Sequence, residues 1–283
     1  LCDNLGIQYA PIPYDYMRMQ IDYDGLNQIL EQDSRVSFLF FCQSDIIQPP
    51  ELQKINLPPK VGIIYDATQT LGLIAGGALP NPLEACQNII MIGGTHKTFP
   101  SVTCGYVATN NDNYINRVKQ NISPNFLRNV QVNNITSVCL SMLEMLKFGE
   151  AYAQKIIWTA NALGDALSGD GLRVKCTEDG AFSHTHQLFI EVPKEQVDIS
   201  YTHFRNYGIT LNKRKTAYLT GFRLGVQEIA RYHFDEHIAN LAHLLCLVLN
   251  SPEKYHEIMN LKATLALCKS DQYVIDDLFM ELE

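Results

Sequence analysis

Val61-Gly62-Ile63-Ile64-Tyr65-Asp66-Ala67-Thr68-Gln69-Thr70 and, one connection later, Asn88-Ile89-Ile90-Met91-Ile92-Gly93-Gly94-Thr95-His96-Lys97-Thr98 decide the fold of this chain. Each begins with a continuous, non-alternating apolar run of strand length, the pattern of a strand covered on both faces in a parallel sheet. Each then breaks into small and polar residues. Val36-Ser37-Phe38-Leu39-Phe40-Phe41-Cys42 is a run of the same kind, and Cys104 to Thr109 reads as one more. The intervening connections, punctuated by Pro49-Pro50, Pro58-Pro59 and the stretch from Gly76-Gly77 to Pro82, are long enough for crossovers. The first half is therefore expected to be α/β.

Beyond Ile135 the spacing becomes helical. Val138, Met142 and Met145, then Ala153, Ile156, Ala160, Leu163 and Leu167, fall on one face, with Gly149 as an interruption. Two helices or one broken helix are expected. After Gly169-Asp170-Gly171 come strand-like pieces at Leu172–Cys176 and Gln187–Val192, then a helix through Ile238, Leu241, Leu245 and Val248 capped by Asp235. This reads as a smaller C-terminal α+β domain, and the division is placed at 1–150 and 151–283.

Composition narrows the function classes. The 283 residues are 46% hydrophobic and 18% charged, with 22 Lys+Arg against 30 Asp+Glu and a formal net charge of -8. That is a globular composition, and its acidic balance offers no footprint for a phosphate backbone, so nucleic acid is not an expected partner. The longest apolar runs fall short of the ~20 residues of a membrane helix. Eight cysteines are scattered with no CxxC pair, which suits reduced thiols and a cytoplasmic location rather than a zinc cage or disulfide framework. His184 with His186, and His233 with His237, could each offer two metal ligands on one face, but no third ligand stands at recognisable spacing, so no metal is expected.

Asp66 and Lys97 both follow the carboxyl ends of strands, where open α/β sheets bind their ligands. A lysine desolvated in such a crevice can form a Schiff base with an aldehyde. A carboxylate beside it can keep a pyridinium nitrogen protonated, the arrangement by which pyridoxal phosphate becomes an electron sink. Spacing alone favours the plainer reading, a strand-end aspartate and a surface lysine.

Asp66-Ala67-Thr68-Gln69-Thr70-Leu71-Gly72-Leu73-Ile74-Ala75-Gly76-Gly77 followed by Thr95-His96-Lys97-Thr98 resembles the serine hydroxymethyltransferase family of fold-type I pyridoxal-phosphate enzymes. Gly208-Ile209-Thr210-Leu211-Asn212-Lys213 and Thr220-Gly221-Phe222-Arg223-Leu224-Gly225 are similar to two later segments of the same family, in the same order. The resemblance implies an aspartate-aminotransferase-like large domain, N-terminally incomplete here, followed by a small domain. It implies that Lys97 carries pyridoxal 5'-phosphate as a Schiff base, that Asp66 partners the ring nitrogen, and that Arg223 grips the substrate α-carboxylate. Ser44, Gln69, Thr95 and His96 are implied as further cofactor contacts.

Some positions depart from the family pattern. Gln69 stands where the family has a histidine; it can hydrogen-bond but cannot take up a proton. Phe99 to Gly105 keeps only the final glycine of a Gly-Pro-Arg-Gly-Gly run, and Leu127 to Gln131 replaces a Gln-Gly-Gly turn. Val226-Gln227-Glu228 replaces Thr-Pro-Ala. The function implied is a homodimeric transferase that makes or breaks the Cα–Cβ bond of a β-hydroxy amino acid, with tetrahydrofolate as co-substrate in the family default. The departures leave open a folate-independent threonine-type aldolase or transaldolase. The implied absence of the phosphate-cup and ring-stacking residues leaves open a catalytically incomplete, dimerising subunit.

Overall fold

The apolar runs of the first half do form adjacent strands. The computed structural model describes residues 3–122, 125–127, 129–267 and 273. A short antiparallel pair, β1 (Tyr14–Asp15) and β2 (Gln20–Ile21), precedes helix α1 (Tyr23–Gln32), whose N-cap Asp22 accepts a hydrogen bond from Gly25 N at 3.0 Å. Then come β3 (Phe38–Phe41), β4 (Gly62–Asp66), the short helix α2 (Leu71–Ala75), β5 (Ile89–Gly94), β6 (Gly105–Ala108) and α3 (Asp112–Ile122). The sheet order is β3-β4-β5-β6. β3, β4 and β5 run parallel, with Asp66 in register with Ile92, so their carboxyl ends share one edge.

Two details differ from the sequence expectation. β6 is antiparallel to β5, so the sheet is mixed: the loop from Thr95 to Cys104 turns the chain straight back, with no crossover. Phe38 and Phe40 are 47% and 43% exposed, so β3 is covered on one face only; its other face, with Leu39 and Phe41, joins the core of Leu26, Ile63 and Ile89.

Helix α4 runs unbroken from Val132 to Gly169, 38 residues straight through Gly149. This glycine does not interrupt the helix, because it serves close packing. A Cβ on Gly76, which follows α2, would lie 2.2 Å from Gly149 O, so the chain after α2 meets the helix backbone directly. Residues 150 and 151 fall inside α4, and no linker marks the change from sheet to small domain.

The small domain is a three-stranded antiparallel sheet, order β7-β9-β8, built from β7 (Gln187–Glu191), β8 (Asn212–Lys215) and β9 (Thr220–Gly225), with α5 (Val197–Asn206), α6 (Ile238–Asn250) and α7 (Tyr255–Ala266). The strand-like stretch Leu172–Cys176 makes a single bridge, Val174 to Ile190. Helix α6 is led in by a 3-10 turn, with His237 at its N-cap; Asp235 opens that turn and pairs with Lys155 instead of capping. Leu188, Ile190, Phe222 and Leu224 point from one face of the sheet into a core with Ile156, Ala160, Leu163 and Leu167 of α4. Strand alternation sends Gln187, Phe189 and Arg223 to the opposite face, toward the large domain. No described helix is long and apolar enough to cross a membrane. Six cysteines are unpaired; Cys2 and Cys268 lie outside the described residues, as does Arg128 of the Leu127–Gln131 stretch.

Candidate active site

Asp66 is the last residue of β4, and Thr68 fixes its orientation. Thr68 N and Oγ1 both donate to Asp66 Oδ1, at 2.9 and 2.5 Å, while Cys42 Sγ donates to Oδ2 at 3.5 Å. The Thr68 hydroxyl oxygen also accepts from Gly94 N at 3.0 Å, tying the end of β5 to the end of β4. Gly93 and Gly94 let this approach happen: a Cβ on Gly93 would meet Thr68 N at 2.9 Å.

Three residues after Gly94, Lys97 lies half-buried with no ion pair among the described residues. Its neighbours on the loop are structural. Buried Thr98 Oγ1 accepts from Gly72 N and donates to Gln69 O, both at 3.0 Å, which ties the loop to the start of α2. Thr95, implied as a cofactor contact, directs its hydroxyl into its own loop instead: Oγ1 donates to Val102 O at 2.6 Å and accepts from Cys104 N at 3.1 Å. His96 is exposed and folds over Gly94.

From the small domain, the loop after β3 is stitched to the β7 region. Gln187 Oε1 accepts from Ile46 N at 2.9 Å, and Gln187 Nε2 donates to Ser44 O and to Gln69 Oε1, both at 3.1 Å. Ser44 O also accepts from Arg223 Nη1 at 2.6 Å. Gln69, Ser44 and Arg223, far apart in sequence, therefore belong to one hydrogen-bonded network whose hub is Gln187. The Ser44 contribution is its carbonyl, its side chain being exposed.

Next to this hub His186 is 3% exposed, and its Nδ1 has no hydrogen-bond partner among the described residues. Burial, then the charges of Arg223 and Lys97, push its pKa down to about 3, so the imidazole is neutral. His186 Nε2 lies 3.4 Å from Gln187 Nε2, and Gln187 shares Ser44 O with Arg223, so His186 and Arg223 border one crevice, near enough to Lys97 for its charge to bear on the imidazole. Tyr106, whose hydroxyl is likewise buried and unpartnered, feels the charge of Asp66; burial chiefly raises its pKa.

Sequence reading did not single out Gln187, Thr68, Asp45 or Arg214, and it took His186 for one of a histidine pair. The pair separates: His184 Nε2 meets Asp179 at 2.9 Å on the surface, while His186 faces the crevice. The strand start at Gln187, with a polar residue where a core residue is expected, was the available signal. A cavity of about 770 Å³ lies elsewhere, lined by Pro49, Leu79, Pro82 and Asp179, and neither Lys97 nor Arg223 lines it. What marks the crevice is convergent polar chemistry rather than volume.

An amine without a counter-ion among the described residues, an oriented carboxylate and buried hydrogen-bonding atoms with no partner among those residues fit the aldehyde and ring-nitrogen ends of pyridoxal phosphate. Lys97, Asp66 and Tyr106 are the residues so disposed.

No family model matches the chain. It is 32% identical over 246 residues to a serine hydroxymethyltransferase from Sulfolobus acidocaldarius, covering 82% of this chain and 56% of that protein. It is 28% identical over 270 residues to that of Archaeoglobus fulgidus, covering 90% and 60% respectively. In sequence the chain is serine hydroxymethyltransferase-like. It spans less than two thirds of the length of these relatives. Among solved structures, an L-threonine transaldolase from Pseudomonas fluorescens in its internal aldimine state superposes with a TM-score of 0.83, at 23% identity, over 99% of this chain and 68% of that one. The two share a fold, and the expected fold-type I architecture is borne out.

Proposed function

We propose that this protein is a pyridoxal-phosphate-dependent enzyme of the hydroxymethyltransferase and aldolase type, acting on the Cα–Cβ bond of a β-hydroxy amino acid. Its sequence relatives are serine hydroxymethyltransferases, and its fold is that of a transaldolase. The observation that carries the reading is that Lys97, half-buried and with no ion pair among the described residues, follows β5 at the strand edge where Asp66 ends β4, while Gln187 and Ser44 O link His186 and Arg223 to the same edge.

Each residue then has a task. Lys97 offers its amine for condensation with the cofactor aldehyde. Asp66, held by Thr68, keeps a proton on the ring nitrogen, and its two donors to Oδ1 leave Oδ2 with only the weak Cys42 contact. Arg223 orients the amino acid by its carboxylate, a task its planar fork suits. His186 stays neutral, so it adds no third positive charge beside Lys97 and Arg223 and can accept or donate one hydrogen bond. Pyridoxal phosphate, when bound, supplies the electron sink for the bond that breaks.

Gln69 favours a second reading within the same class. Its Oε1 accepts from Gln187, and an amide cannot shuttle a proton, so aldehyde exchange without tetrahydrofolate is the alternative to folate-dependent hydroxymethyl transfer. We also infer a cytoplasmic homodimer. Val132, Ile135, Met142, Leu143 and Leu146, all exposed on α4, are apolar side chains that a second copy would cover.

The test is spectroscopic. Adding pyridoxal phosphate to the protein is expected to produce a visible absorbance band that is lost in Lys97→Ala. A band of equal strength in the variant would refute the assignment. Serine-to-folate transfer against folate-free aldehyde exchange then separates the two readings.

A further inference from the structure

Asp45, on the loop after β3, is gripped by two guanidiniums from adjacent small-domain strands. Its Oδ1 accepts from Arg214 Nε at 2.8 Å and from Arg223 Nη1 at 2.9 Å and lies 2.7 Å from Arg214 Nη2 as an ion pair; its Oδ2 accepts from Arg214 Nε at 2.9 Å. The side chains of Arg223, Arg214 and Asp45 are only 11%, 23% and 26% exposed, so these charges act through a partly desolvated medium. Every bond that Arg223 makes to the described residues leaves from Nη1, to Asp45 and to Ser44 O. The Nε–Nη2 edge, one of the two edges on which an arginine takes a carboxylate with two parallel hydrogen bonds, is left open.

We propose that Asp45 is a charge filter for the substrate: it cancels Arg214 and anchors Arg223, so that the cluster of these three side chains presents one net positive charge and selects amino acids with a single carboxylate. Arg214 is the natural second anchor for a side-chain carboxylate. While Asp45 occupies it, a dicarboxylic amino acid brings one negative charge that meets the Asp45 carboxylate instead of a free guanidinium. The proposal rests on the reading that Arg223 receives the α-carboxylate, and it names Asp45 and Arg214 as specificity-determining residues for that site.

The experiment titrates the full chain, without added cofactor, with acetate and with succinate, and follows binding by ligand-observed NMR. In Asp45→Asn two guanidiniums stand unopposed, and the succinate-to-acetate affinity ratio is expected to rise about tenfold. In the double variant Asp45→Asn with Arg214→Gln one positive charge is restored, and the ratio returns to that of the unmodified protein. If Asp45 only holds the loop in place, the double variant is instead worse than either single one, and the proposal fails. It fails equally if Asp45→Asn leaves the ratio unchanged. Arg223→Gln is the separate control: acetate binding that survives it refutes the carboxylate role of Arg223, whatever Asp45 does.

Discussion

Strand β8 carries an ion cluster on each of its faces, and the two clusters differ in almost every respect except their chemistry. On the outer face Lys213 and Lys215 both pair with Asp198 of α5, whose side chain is 56% exposed. On the inner face Arg214 joins Arg223 on Asp45, all three at most 26% exposed. Lys213, Arg214 and Lys215 are consecutive, so it is strand alternation that assigns them. The outer pairing is between residues 15 and 17 apart in the chain, while Asp45 and Arg214 are 169 apart. Water screens the first cluster. The second is shielded by the domain seam, and it is the one that bears on a ligand.

The sharpest way to break both clusters at once is to disturb the strand beside them. Gly221 of β9 is in register with Arg214 and has φ +136, and a Cβ there would lie 2.0 Å from Ile190 O. Gly221→Ala is expected to cost ~3 kcal/mol or more, since strained backbone and a backbone clash add, and the check is chemical denaturation.

Acid should act on the inner face first. The folded-state pKa of His186 is about 3, below the ordinary histidine value, so the unfolded chain binds the extra proton. Stability that His186 supports at neutral pH is therefore lost as pH falls from about 6.5 toward 3. His186→Gln should flatten that part of a stability-versus-pH curve; an unchanged slope would contradict the buried neutral imidazole. On the outer face, two lysines hold the Asp198 pKa down to about 2, so its pairing persists throughout the same window.

Arg214→Ala removes a partner of the partly buried cluster and is expected to cost about 1–2 kcal/mol, allowing for its partial exposure. Asp198→Ala, by contrast, should leave the thermal midpoint unchanged within error at physiological salt. A larger loss for Asp198→Ala than for Arg214→Ala would reverse the ranking of the two faces.

Much of the large-domain half of the site was legible before any coordinates. Asp66 and Lys97 stand just after apolar strand runs, and the rule that ligands meet the carboxyl ends of parallel strands puts them at a candidate edge, while their roles came from the family resemblance. Arg223 was legible only by family resemblance, because nothing about an arginine in a short strand distinguishes a ligand-facing side chain from a solvated one. Gly149 was misread because a glycine in a helical pattern marks either a break or a close contact, and only Gly76 lying against it decides between them. Asp235 was misread as a cap because a 3-10 turn intervenes before α6.

The sequence by itself determined the large-domain strands, their parallel core, β7 and the long apolar stretch of α6, and it singled out Lys97 as the candidate amine, because these depend on local periodicity and on short motifs. Only the tertiary structure decided that His186 is buried and neutral, that Gln187 joins Gln69 to Ser44, and that Asp45 lies between two arginines. Those facts arise where the small-domain sheet meets the loop after β3, which are far apart in the chain. Burial, charge and hydrogen-bond partners there are set by packing across the seam, which no local pattern in the chain encodes.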